Sequence, residues 1–157
     1  MCKSDILVYK SEMKEHNIDN FCPCQSCQEI TVIGYRFLRN PLSDPNNLDP
    51  PYIIDLKKDE SINNGTYNNL RRHLDGTPQK ICGALGLSFY KSAHEAAKAF
   101  ASIGAFKNLE PPYNCIGECT ITPTDGVSSV PNKRGHFDVH IYSTNTLSQK
   151  FNYVQAV

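Results

Sequence analysis

The chain has 157 residues, the length of one ordinary domain. Sixteen Lys and Arg offset sixteen Asp and Glu, so net charge is zero, which argues against a wholesale nucleic-acid coat and leaves room for a local basic patch. No stretch approaches the roughly 18 apolar residues of a membrane span, and the first residues lack the apolar run of a signal peptide. The expectation is a soluble, cytoplasmic protein with no membrane partner.

Residues 1–29 read as an N-terminal Cys-containing arm, and residues 30–157 as a single α+β domain. Within the arm, Ile6, Leu7, Val8, Tyr9 and Met13 mix with charges without a clean period. Cys22, Cys24 and Cys27 follow as a cluster. The spacing Cys24-x2-Cys27 matches a zinc half-motif, with Cys2 and His16 the nearest candidates for a further ligand. The total of seven cysteines is odd and argues against a disulfide scaffold, so unligated thiols on a mobile arm are the expectation and no metal ligand is assigned.

Residues 30–38, ITVIGYRFL, are rich in β-branched and aromatic side chains and apolar on both faces, as a central strand is. Arg36 stands inside this strand. A buried guanidinium calls for an anionic ligand or a carboxylate partner, whereas one near a strand end snorkels to water. A long loop is expected at 40–80. Its first part holds clustered prolines, Asn64-Gly65 suggests a tight turn, and Arg71, Arg72 and His73 form a small basic cluster able to meet phosphate.

The segment ICGALGLSFY, from Ile81, reads as a glycine-punctuated strand. Ser92 and Glu95 then form a capping box, and Ala93, Ala96, Ala97 and Phe100 recur at helical spacing. The helix at 92–103 should pack that face on a sheet, with Gly104 able to end it. Further strands are expected at 114–121, where Cys115 points to the core, at 136–142, and over KFNYVQAV at the end. In HFDVHIY, Phe137, Val139 and Ile141 point one way; His136, Asp138, His140 and Tyr142 point the other. This order of elements implies an α+β fold with a mostly antiparallel sheet and few helices. A single His or Asp near the start of the late strand is the candidate catalytic group, because His136 and His140 lie roughly 13 Å apart along a strand.

An arginine on an early strand, then Gly86-Leu87-Ser88-Phe89-Tyr90 running into KSAHEAAKAF, then a late strand beginning at a polar residue, resembles the ADP-ribosyltransferase-like fold. In its poly(ADP-ribose) polymerase branch a glycine-led aromatic strand enters a Ser-Ala-containing helix, and Gly117-Glu118 looks like that branch's Gly-Glu strand. Tyr35-Arg36 is similar to the arginine-type classes and to NAD-dependent RNA 2′-phosphotransferases. The late strand offers His136 or Asp138 where many members carry a glutamate.

The resemblance implies NAD as substrate, for ADP-ribosyl transfer or NAD glycohydrolysis, with a toxin-like action on an acceptor protein or nucleic acid. It implies that Arg36 meets the pyrophosphate, Ser88 positions the nicotinamide ribose, Tyr90 stacks on the nicotinamide, and His136 or Asp138 serves catalysis. The competing expectation is a non-enzymatic protein-binding module that uses its Cys-rich arm to hold a partner.

Overall fold

The computed structural model describes residues 6–62, 69–104, 109 and 111–157. Its strands are β1 (Val32–Leu38), β2 (Leu87–Tyr90), β3 (Cys115–Ile121), β4 (Gly126–Ser128), β5 (His136–Ile141) and β6 (Asn152–Ala156). They form one antiparallel sheet in the order β4-β5-β2-β1-β3-β6. The apolar run 30–38 thus becomes the central β1, flanked on both sides as its two-faced hydrophobicity requires. The α+β class and the antiparallel sheet agree with the sequence, as do the strands expected at 114–121, at 136–142 and at the end of the chain, whereas β4 forms in a stretch where no strand is expected.

Pairing is uneven across the sheet. Strand β1 pairs with β3 along its whole length, from Val32 opposite Ile121 to Leu38 opposite Cys115. Toward β2 it registers at Tyr35 opposite Tyr90. The same register would set Phe37 opposite Ser88, yet among the described residues the strands do not pair there. The sheet parts at that point.

Helix α5 (Ala93–Ser102) forms as its sequence dictates. The Ser92 hydroxyl accepts from the Glu95 amide at 3.1 Å and donates to the Glu95 carboxylate at 3.2 Å. Ala96 is fully buried, and Phe100 meets Phe37 at 5.4 Å between ring centres. Ala96→Asp should therefore cost about 3 kcal/mol or more by urea denaturation, because a carboxylate is driven into an apolar contact. Ala97→Asp, at a half-buried position, should cost less, and equal losses would contradict this packing.

The segment 40–80 corrects the expectation of a long loop. After a 3-10 turn at Pro45–Leu48 come α2 (Pro51–Ile62), α3 (Arg71–Leu74) and α4 (Pro78–Ala84). Proline is tolerated in a first helical turn, where its missing amide would be unpaired in any case. The Thr77 hydroxyl caps α4 by accepting from the Lys80 amide. The strand expected from Ile81 is consequently shortened to β2, its first residues ending α4. The tight turn proposed at Asn64-Gly65 lies outside the described residues, as does Cys2.

The arm is also corrected. Leu7 bridges Tyr142, Gln28 bridges Ser128, and Met13, Ile18 and Cys22 are buried with Ile81, Cys82 and Leu85. Helix α1 (Lys10–Glu15) begins this segment, which covers the polar face of β5. Its cysteines are not unligated: Cys22 is bonded to Cys82 and Cys24 to Cys27. His16 meets the Tyr52 hydroxyl at 2.7 Å instead of the cysteines. Cys115 and Cys119 are buried free thiols on the opposite, apolar face, as the core reading of Cys115 requires.

Candidate functional site

A cleft of about 610 Å³ opens where β1 and β2 part. The sheet supplies Arg36, Phe37, Ser88, Tyr90 and His136; α2, α3 and the segments beside them supply Asp55, Lys58, Asn69, Arg72 and His73. Four of the five site residues expected from sequence line it. Asp138 does not. It lines a neighbouring cavity of about 150 Å³, with its Oδ1 3.5 Å from His136 Nε2.

Arg36 is 4 % exposed and bridges the parted strands. Its Nη1 donates to the Ser88 carbonyl at 2.8 Å, Nε to Asn47 at 3.0 Å and Nη2 to Asp49 at 3.0 Å. Three of the five N–H donors of the guanidinium are thus spent on backbone carbonyls. Burial lowers its pKa, and the facing carbonyls solvate its charge. Its first role is to hold the cleft's floor together; contact with a bound anion rests on the two remaining N–H groups.

The wall beside it is aromatic. The Tyr90 ring packs edge-on to His136 at 5.4 Å and tilts against Phe37 at 5.5 Å, and Tyr113 lies 5.9 Å from Phe37. The opposite wall is polar. Asp55 accepts from Arg72 Nε and lies 2.8 Å from His73 Nε2, so α2 and α3 are tied together across the rim. Asp59 accepts from the amides of Asn69 and Leu70, which fixes the entry to α3.

Electrostatics separate the two candidate catalytic groups. Burial, aided by the Arg36 charge, lowers the pKa of His136, so its imidazole is neutral at pH 7. Burial pushes Asp138 up to about 7, opposed in part by Arg36. A neutral imidazole in the cleft can accept a proton from a nucleophile. It cannot balance a cationic sugar as a carboxylate would.

The sequence reading of 40–80 as loop missed Asp55, Lys58 and Asn69 altogether, while Arg72 and His73 were marked as a basic cluster with no cleft to belong to. Arg134 is exposed on the turn before β5 and is not among the cleft's lining residues. No protein-family model, curated protein or solved structure matches this chain. Among the described residues, no helix is long and apolar enough to cross a membrane.

Proposed function

We propose that the cleft binds an NAD-like dinucleotide and that the protein cleaves its nicotinamide–ribose bond, in an ADP-ribosyltransferase-like arrangement. One observation carries this reading. Arg36, Ser88, Tyr90 and His136, drawn from three strands on sequence resemblance alone, line one cleft at the parting of β1 and β2. Random surface polarity would scatter them.

The cleft's chemistry supports the same ligand. Aromatic side chains suit a nicotinamide or adenine ring, and Lys58 and Arg72 suit a pyrophosphate. Because Arg36 is largely committed to carbonyls, Arg72 takes the leading part in phosphate recognition in this account. In the reaction, NAD and an acceptor with a transferable proton give the ADP-ribosylated acceptor, nicotinamide and a proton; with water as acceptor the product is ADP-ribose. His136 takes the acceptor's proton, and Asp138 stands behind it. Ser88 orients the ribose. The setting we infer is cytoplasmic, where NAD is supplied.

The test is chromatographic measurement of nicotinamide released from NAD. The wild type should release it with water or with an added amine, thiol or hydroxyl acceptor. No release with any of them would remove the enzyme reading and leave a non-catalytic binding module.

A further inference from the structure

Further along the polar face of β5 from His136, beside the dinucleotide cleft, soft ligands crowd one small volume. Cys22 Sγ lies 3.7 Å and Cys82 Sγ 3.8 Å from His140 Nε2, and all three residues are buried. The ligand atoms of Cys22, Cys82 and His140 lie within 4.8 Å of one another. Cys24 and Cys27 line the adjoining cavity of about 150 Å³ together with Cys82 and His140. Four cysteines and a histidine from three distant parts of the chain therefore meet at one place.

The fold builds this meeting deliberately close. A Cβ at Gly86 would lie 3.0 Å from Asp138 Cβ and 3.2 Å from His140 Cε1, so the absence of a side chain lets the end of α4 approach β5. That approach brings Cys82 to His140. The 22–27 segment then closes over both.

We propose that in its thiol form this cluster is a zinc site, with Cys22, Cys82 and His140 as three ligands and Cys24 or Cys27 as the fourth. The distances suit it. Zinc–sulfur and zinc–nitrogen bonds of about 2.3 and 2.0 Å place neighbouring tetrahedral ligands roughly 3.5 Å apart, close to the 3.7 and 3.8 Å found between sulfur and nitrogen. The sulfurs of Cys22 and Cys82, now bonded to each other, need part only enough to span one tetrahedral edge. His140 Nε2 turns from the Cys82 carbonyl, 2.8 Å away, to the metal, and the ring proton moves to Nδ1.

This ligand set differs from the one its spacing suggests, because Cys82 and His140 take the places of one clustered cysteine and of the further ligand sought in Cys2 or His16. The disulfides and the zinc site are two states of the same residues. Each disulfide takes two electrons and two protons from a dithiol, which closes to its own disulfide; zinc then displaces one proton for each thiol it binds. Four protein ligands leave no open position, so the ion's role is structural: it ties the N-terminal segment and α4 to β5. The proposal is independent of the dinucleotide reading.

The full chain is reduced with a dithiol, desalted under argon, incubated with zinc sulfate and desalted again. It should retain about one zinc ion per chain, and a cobalt-loaded sample should show the intense visible bands of a tetrahedral site with thiolate charge transfer. Re-oxidised protein should lose the metal. His140→Ala and the double variant Cys24→Ser/Cys27→Ser should each weaken zinc binding at least about 100-fold, beyond the usual effect of losing an outer partner, while Cys115→Ser leaves it unchanged. Reduced wild type that keeps its native circular dichroism yet binds no zinc would overturn the proposal. So would weak, octahedral cobalt bands, or undiminished binding by His140→Ala. The wild-type cobalt spectrum decides the matter even if a variant fails to fold.

Discussion

Replacing Arg36 by Leu should cost about 3–5 kcal/mol of stability, read as a lower urea midpoint at unchanged slope. The side chain is no ordinary surface cation. It donates at once to the carbonyls of Asn47, Asp49 and Ser88, in a place where β1 and β2 have stopped pairing. Without it, buried carbonyl oxygens lose charged donors and water is poorly placed to replace them. Arg36→Lys should recover little, because one ammonium on a flexible stem cannot span three acceptors held apart by a planar fork. A loss below about 1 kcal/mol for Arg36→Leu would contradict this role. The nearby Asp49 carboxylate is engaged by Lys57 at 2.6 Å, so the guanidinium acts on the backbone rather than in a salt bridge.

The second large effect concerns turnover. His136→Ala should lower nicotinamide release by about 10²–10⁴-fold, the range expected for a positioned general base, with affinity for NAD nearly unchanged. Asp138→Asn should lower it by less than about tenfold, because Asp138 faces the neighbouring cavity and reaches the reaction through His136. The reverse ranking would make the carboxylate the operative group. Burial and the Arg36 charge hold the His136 pKa below 6.5, so the base form persists at neutral pH. The wild-type rate should fall as pH drops through that lowered value, since protonation removes the base. An acid limb well above 6.5 would contradict the assignment.

Strands and α5 were legible because their signals are local. The β-branched run around β1, the alternation in HFDVHIY and the Ser92–Glu95 capping box each need a few neighbouring residues. The helices of 40–80 were hidden for physical reasons. Asp55 and Asp59 are buried on α2 yet satisfied by Arg72, His73, Asn69 and Leu70, so the helix buries charge where an amphipathic pattern would show apolar residues. One of the prolines that argue for a loop, Pro51, is a helix start, as is Pro78 further on.

Alternation also looks the same whether a polar strand face meets water or protein. His140 is 3 % exposed because α4 and the 22–27 segment cover it. The glycine at 86, which permits that approach, was the signal that could have shown it. Cysteine spacing was equally blind: Cys22 and Cys82 are 60 positions apart, and chain topology alone joins them. In the candidate site, the sheet residues were read from their strands, whereas Asp55, Lys58 and Asn69 required helices that the sequence concealed.

Isothermal titration of NAD into the wild type and into Arg72→Glu tests the central claim most directly. Arg72 is a rim residue, with its side chain 55 % exposed, so the change reverses charge at the cleft; because it also breaks the pair with Asp55, the variant is compared only once circular dichroism shows it folded as the wild type. The account predicts saturable binding by the wild type at about one NAD per chain, and at least about tenfold weaker binding by Arg72→Glu. Absence of binding by the folded wild type, or equal affinity in the two proteins, would contradict it.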